Sequence, residues 1–263
     1  MQDYNETSEK ITERMNKIKR KIGIVSGKGG VGKSVLTALL ACGLASKGKK
    51  VGLLDADITG PSIPRLFGIK GKPIIANNSI IPPTAKNGLK LMSANLLLEE
   101  EDAPAIFRGP LLANAIRQFL SDVEWGELDY LFIDFPPGTG DIPLTIMQSI
   151  QLDGIIFVTS PQKLSFMIVK KTINMAREIK VPVIGLVENM AFIRCPKCNE
   201  LLYPFGKPEA ERAAKEAGLS LIGRLPIDQE ISRLSDEGKI DEYKDHSIEQ
   251  IIAGIEKYEE GHK

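Results

Sequence analysis

Three cysteines, two histidines and no net charge among 263 residues set the first limits on this chain. Three cysteines are an odd number and too few for a disulfide scaffold. The 34 basic residues balance 34 acidic ones, so no global field draws the chain onto nucleic acid or an anionic membrane, and neither is expected as a partner. No apolar run reaches the roughly 18 residues that span a bilayer. Met1–Lys21 is polar and charged with no apolar signal core, which makes a cytoplasmic location the default expectation. No internal repeat and no second core can be found. What is present, 43% hydrophobic and 26% charged residues, is ordinary for a globular protein and ample for a full core.

Residues 1–20 are mostly charged and polar, with Ile11, Met15 and Ile18 at helical spacing, and read as a loosely attached helix or tail. From Lys21 the pattern changes. Near-continuous Val/Ile/Leu runs appear at Ile22–Ser26, Lys50–Leu54, Leu89–Ser93, Tyr130–Asp134, Gly154–Thr159, Val183–Glu188 and Leu221–Leu225. Helical stretches near Lys33–Ser46, Pro110–Val123, Pro143–Ile150, Ser165–Ile179, Pro208–Ala217, Gln229–Asp236 and Ser247–Glu259 alternate with them. Apolar strands separated by helices are buried on both faces, so 21–263 is expected to form one doubly wound α/β domain with a mostly parallel sheet. The Pro/Gly/Asn-rich stretch Gly71–Gly88 reads as a long loop or a small hairpin.

Gly27-Lys28-Gly29-Gly30-Val31-Gly32-Lys33-Ser34 fits G-x-x-x-x-G-K-[ST], and it follows an apolar strand and opens a helix, as that motif requires. Glycines let backbone N–H groups turn toward phosphate oxygens, and the helix N-terminus adds partial positive charge. Lys33 is placed to reach the β/γ-phosphates of ATP and Ser34 to bind Mg²⁺. A plain glycine turn would need neither. Tyr130–Asp134 is an apolar strand ending in a carboxylate, and beside a phosphate loop such an Asp134 holds Mg²⁺ through water. Pro136-Pro-Gly-Thr-Gly-Asp141 behind it suits a switch segment. Leu53-Leu-Asp55-Ala-Asp57 ends another strand with two carboxylates. Asp57 is the candidate for orienting the attacking water and Asp55 for supporting Mg²⁺-bound water. Capping a helix near Ser62–Phe67 is the structural alternative for one of them.

Cys195-Pro-Lys-Cys198 offers two thiolates on a tight turn, the bite of a tetrahedral metal or an iron–sulfur cluster. His246 and His262 lie too far along the chain to complete a site. Two ligands per chain point to a site shared across a two-fold axis, and four thiolates suit [4Fe–4S] or Zn²⁺ equally by geometry. A redox pair is the third option, although this one does not sit at a helix start as such pairs do. Cys42, amid Leu39, Leu40, Leu44 and Ala45, reads as a small core residue.

With Lys28 inside the phosphate motif, Asp55-Ala-Asp-Ile-Thr-Gly-Pro-Ser62, Arg108-Gly-Pro110, Asp134–Asp141, Glu188-Asn-Met190 and Cys195–Cys198, the chain resembles the Mrp/ApbC family. These are iron–sulfur cluster carrier ATPases related to MinD and ParA, and the resemblance runs from about Lys21 to Glu237. It implies a homodimer that hydrolyses ATP, holds a [4Fe–4S] cluster between its Cys-x-x-Cys pairs and passes it to apo iron–sulfur proteins. By that resemblance Lys28 reaches the partner's nucleotide, Asp57 is the switch aspartate, Asn189 contacts the base and Pro226 flanks it. Phe135 departs from the family's small or polar residue, and Phe205-Gly-Lys-Pro208 lacks further glycines. No N-terminal four-cysteine motif is present. The readings that compete are a MinD- or ParA-like positioning ATPase, which leaves the cysteine pair without a role, and a zinc-bridged regulatory dimer.

Overall fold

The computed structural model of the chain describes residues 2–57, 60, 62–76, 79–97, 109–138 and 140–262. In chain order the elements are α1 (Gln2–Asn16), β1 (Ile18–Ser26), α2 (Lys33–Ser46), β2 (Val51–Asp55), α3 (Ile63–Leu66), β3 (Ile74–Ala76), β4 (Ser79–Ile81) and β5 (Lys90–Ser93). There follow α4 (Gly109–Asp122), β6 (Leu128–Asp134), α5 (Asp141–Ser149), β7 (Gly154–Thr159), α6 (Lys163–Glu178), β8 (Val183–Glu188), β9 (Ile193–Arg194) and β10 (Leu201–Leu202). The chain ends with α7 (Ala210–Glu216), β11 (Leu221–Arg224), α8 (Gln229–Glu237) and α9 (His246–Gly261).

Among the described residues seven strands form one sheet in the order β11-β8-β7-β1-β6-β2-β5. Every neighbouring pair in it is parallel. Strand residues alternate between two cores because successive side chains point to opposite faces. In β6, Leu131 and Ile133 enter one core while Tyr130 and Phe132 enter the other. The first core is closed by α1, α4, α5, α6 and α7, the second by α2, α3, α8 and α9. This is the doubly wound sheet expected from the apolar runs. From β1 the chain runs to β2 and the β5 edge, returns to β6, then crosses β1 to β7, β8 and β11. The sheet therefore reverses its winding at β1, and the loop after β1 lies where such folds bind ligands.

Of the two readings offered for the N-terminal segment the helix is the one that forms, and its loose attachment is what the structure corrects. α1 packs on α4, and Ile11, Met15 and Ile18 are 5%, 5% and 2% exposed. The strand that was expected from Ile22 begins at Ile18, so a boundary at Lys21 falls inside β1. Charge hid the segment. Its sparse apolar positions make one narrow stripe, and Arg14 anchors the rest, pairing with Glu124 and donating to Ser79 Oγ at 2.8 Å. The Gly71–Gly88 stretch resolves into the antiparallel pair β3–β4.

The C-terminal helix is equally committed. Asp245 caps its start by accepting from the Ser247 N–H at 2.7 Å. Ile248, Ile251, Ile252 and Ile255 are all buried, and near its end Glu259 accepts from Tyr130 Oη at 3.0 Å. No helix among the described residues is long and apolar enough to cross a membrane.

Replacing Met15 with Ala is expected to cost about 2–5 kcal/mol, the usual range for emptying a buried Met site. Urea unfolding of the full chain measures it. A loosely attached tail would show less than about 0.5 kcal/mol.

Candidate functional site

The phosphate motif leaves β1 and enters α2 through two left-handed glycines, Gly30 (φ 76°) and Gly32 (φ 78°), a conformation that side-chain-bearing residues resist. Gly29 and Gly30 are exposed, and a Cβ on either would meet only open space. The first turn of α2 has no side-chain cap and no acidic residue. Its N–H groups and dipole are left for an anion. Lys33 is 6% exposed, and its Nζ stands 2.8 Å from Asp134 Oδ1 as an ion pair without an aligned hydrogen bond. A buried ammonium with donors to spare at the mouth of a helix N-terminus fits a phosphate group.

Asp134 has no exposed surface and gathers one turn of α2. Ser34 Oγ donates to its Oδ2 at 2.6 Å, and Thr37 Oγ1 lies 2.9 Å from its Oδ1. Thr37 was absent from the sequence reading. Its signal was available, since residues three apart on a helix share a face with Ser34. Strand register then lines up Asp134, Asp55 and Ser93 across β6, β2 and β5. Asp55 accepts from Ser93 Oγ at 3.2 Å and from the Ile63 N–H at 3.3 Å, which satisfies the first N–H of α3, although the N-cap position itself is Ser62. Its Oδ1 accepts from the Asp57 N–H at 3.2 Å, which ties the half-buried Asp57 to the same strand end. Burial first, and then the Asp134 charge, push the Asp55 carboxyl up to about 8, against the pull of Lys33.

Phe135, the residue out of family pattern, is fully buried against Gly23, where a Cβ would stand 2.8 Å from its ring. The glycine makes room for the aromatic ring. Ile58, Thr59, Pro61, Arg108 and Thr139 of the quoted motifs lie outside the described residues.

Lys28 is half-buried, and its Nζ donates to Gln162 Oε1 at 2.6 Å within the same chain. Asn189, just past β8, is buried beneath the phosphate loop and donates from Nδ2 to the Val31 carbonyl at 2.9 Å. Pro226 is buried in the loop after β11, whose flanks are pinned to the Asn189 segment: the Ala191 N–H donates to Leu225 O and the Ile227 N–H to Phe192 O. Lys28, Lys33, Ser34, Asp55, Asp57, Asp134, Asn189 and Pro226 thus all lie at or beside the carboxyl ends of the strands.

Cys195 and Cys198 stand at the tip of the β9–β10 hairpin, half-buried and exposed respectively. N–H groups of Cys198 and then Lys197, with the Cys198 thiol, donate toward Cys195 Sγ and hold that thiol below its ordinary value. Among the described residues no group of three or more His, Cys, Asp or Glu side chains could hold a metal ion. One chain supplies two thiols and no more. Cys42 is 7% exposed in the core beneath α9, and burial pushes its thiol up to about 12.

A parallel sheet with a glycine loop at its switch point, a buried lysine and paired strand-end carboxylates defines a P-loop nucleoside triphosphatase. Residues 17–258 match the ParA family described as NUBPL iron-transfer P-loop NTPases, and the chain belongs to that family. It is 53% identical over 231 residues to an iron–sulfur cluster carrier protein of Methanocaldococcus jannaschii, spanning 87% of this chain and 80% of that one. A Clostridium perfringens protein of the same name is 47% identical over 242 residues, 89% of this chain and 85% of its own. Among solved structures, a nucleotide-binding protein from Archaeoglobus fulgidus in complex with ADP is 47% identical, with a TM-score of 0.82 over 90% of this chain and 94% of that one. The cell division ATPase MinD of Pyrococcus furiosus, 22% identical with a TM-score of 0.65, covers 91% of this chain and 99% of its own and shares the fold.

Asp55 makes ligand-free stability depend on pH. A carboxyl whose folded pKa lies above its unfolded value of about 3.9 contributes stability that is full below pH ~4. That contribution is lost as pH rises through the folded value of about 8. Asp55→Asn should flatten this decline in urea midpoints measured between pH ~4 and ~8 without ligand. An unchanged slope would count against a protonated Asp55.

Proposed function

We propose that the chain binds ATP with Mg²⁺, hydrolyses it slowly, and carries a [4Fe–4S] cluster bridged between two copies to apo iron–sulfur proteins in the cytoplasm. The observation that carries this reading is the cysteine turn: two thiols at a hairpin tip, that of Cys195 held below its ordinary value by backbone N–H groups, with no third ligand nearby among the described residues. Four thiolates complete such a cluster, and a second copy supplies the missing two. Leu201, Leu202, Tyr203 and Phe205 stand exposed on the same hairpin, which suits a surface shared between protomers.

For the nucleotide, Gly27–Ser34 wrap the phosphates, and Lys33 moves its spare donors from Asp134 onto the β/γ-phosphates. Ser34 and Asp134 would hold Mg²⁺, with Asp55 behind its waters, and the ion would neutralise phosphate charge. Asp57 orients the attacking water. Asn189 and Pro226 border the base. Lys28 exchanges its exposed bond to Gln162 for the facing copy's nucleotide, at a cost of about 1 kcal/mol. The positioning alternative needs a surface for membrane or DNA. Here the apolar stripe of α9 is spent on the core, which disfavours a detachable membrane helix.

Lys33→Ala is expected to weaken MgATP binding roughly 10- to 150-fold, the value of a charge-assisted contact. Equilibrium dialysis measures it, and near-normal affinity would remove Lys33 from the site.

Anaerobic reconstitution with iron and sulfide should give a brown dimer with about one cluster per two chains. Cys195→Ser and Cys198→Ser should each lose the cluster and keep ATP binding, whereas Cys42→Ser should keep both. Iron and sulfide retained by the double variant would refute the bridging site. Stoichiometric zinc with no iron uptake would favour the zinc-bridged dimer.

A further inference from the structure

The phosphate loop and the cysteine turn are joined by a short, continuous run of contacts. Asn189 sits on the end of β8, with its N–H on Thr159 O at 2.8 Å. Its Nδ2 holds the Val31 carbonyl at 2.9 Å, and its Oδ1 accepts from the Met190 N–H at 2.9 Å. Met190 is left-handed (φ 57°), a conformation that leaves a non-glycine residue little freedom. Ala191 and Phe192 are then pinned to the loop after β11, at 2.9 Å to Leu225 O and 2.7 Å from the Ile227 N–H. Ile193 and Arg194 form β9, and Cys195 follows directly.

The contact at Val31 has a particular geometry. The Val31 carbonyl and the Gly32 N–H belong to one planar peptide unit. In a loop that wraps an anion with its N–H groups, the carbonyls face outward. A phosphate on one side of this peptide and the Asn189 amide on the other therefore grip the same rigid plane. There is no slack between them, because a Cβ on Gly32 would collide with Asn189 Nδ2. Val31 itself is 2% exposed, so the peptide cannot swing free.

We infer that Asn189 is a positioning residue linking the two sites: by holding the Val31 carbonyl, it makes occupancy of the phosphate loop set how the cysteine turn is held. The inference rests on the nucleotide reading above and adds the path by which nucleotide reaches the thiols.

The test uses the full-length, reduced, cluster-free chain. Iodoacetamide labelling of Cys195 and Cys198 is timed by peptide mass spectrometry with and without saturating MgADP, and nucleotide binding is measured separately by dialysis. In the wild-type chain, bound MgADP should change the labelling rate about fivefold or more, the usual scale of coupling between sites. Asn189→Ala with MgADP bound should show a ratio near one. Met190→Gly keeps the amide–carbonyl bond but loosens the joint, so it should bind MgADP normally and show a reduced ratio. A wild-type rate indifferent to bound MgADP would overturn the link, as would Asn189→Ala binding MgADP with the wild-type ratio intact. Should Asn189→Ala lose nucleotide, Met190→Gly decides by the same criterion. A wild-type chain that binds no MgADP defeats the nucleotide reading itself and is seen as such in the dialysis.

Discussion

Asp134 carries a carboxylate with no exposed surface at the end of a central strand, and three side chains from one turn of α2 converge on it. A charge so placed costs several kcal/mol unless it is paired and hydrogen-bonded. Lys33, Ser34 and Thr37 meet that requirement together, and in doing so they fix where α2 begins and how it leans on β6. The phosphate loop has little choice after that. It must span from the end of β1 to a helix whose first turn is already bolted down, and it does so through the left-handed Gly30 and Gly32. Next door, Asp55 faces Asp134 in register, and the ammonium that attracts it, Lys33, is already paired with Asp134. One positive charge cannot offset both, so burial drives the second toward its neutral form until further positive charge arrives.

The same economy governs the outer parts of the molecule. Both faces of the sheet are closed by helices, and among the described residues the large apolar side chains that stay exposed are Ile74, Ile75, Ile81, Leu97, Leu201, Leu202, Tyr203 and Phe205. All but Leu97 lie on or next to the two excursions, β3–β4 and β9–β10, that leave the main sheet. Neither hairpin has enough residues to build a core of its own. The second places its two cysteines at the surface by leaving β8 at Asn189 and returning to the sheet at β11, so the thiols stand on the rim of the nucleotide site's own scaffold.

Much of this was legible beforehand. Gly154–Thr159 and Val183–Glu188 occupy the residues read as strands, because buried parallel strands announce themselves as short apolar runs. The helix Lys33–Ser46 was bounded correctly by its loop glycines and the turn at Gly48. The firm attachment of the N-terminal helix was not legible, for the converse reason. In Gln2–Asn16 most positions are polar or charged, and two buried apolar side chains, Ile11 and Met15, are enough to dock a helix that has a groove to enter. No pattern within residues 1–20 reveals that α4 provides the groove.

What the sequence determined alone is local: a glycine-rich turn between a strand and a helix, a lysine and serine on the helix's first turn, carboxylates at strand ends, and two cysteines on one bend. Spacing suffices for these because each lies within a few residues of its partners. Tertiary structure decided the rest. Asp55 meets Asp134 and Ser93 because β2 pairs with β6 and β5, strands distant in sequence. Asn189 meets Val31 across 158 residues because β8 and β1 end on the same rim of one sheet. Such meetings depend on strand order and register, which are settled by the packing of two whole cores and leave no periodicity in the chain to read.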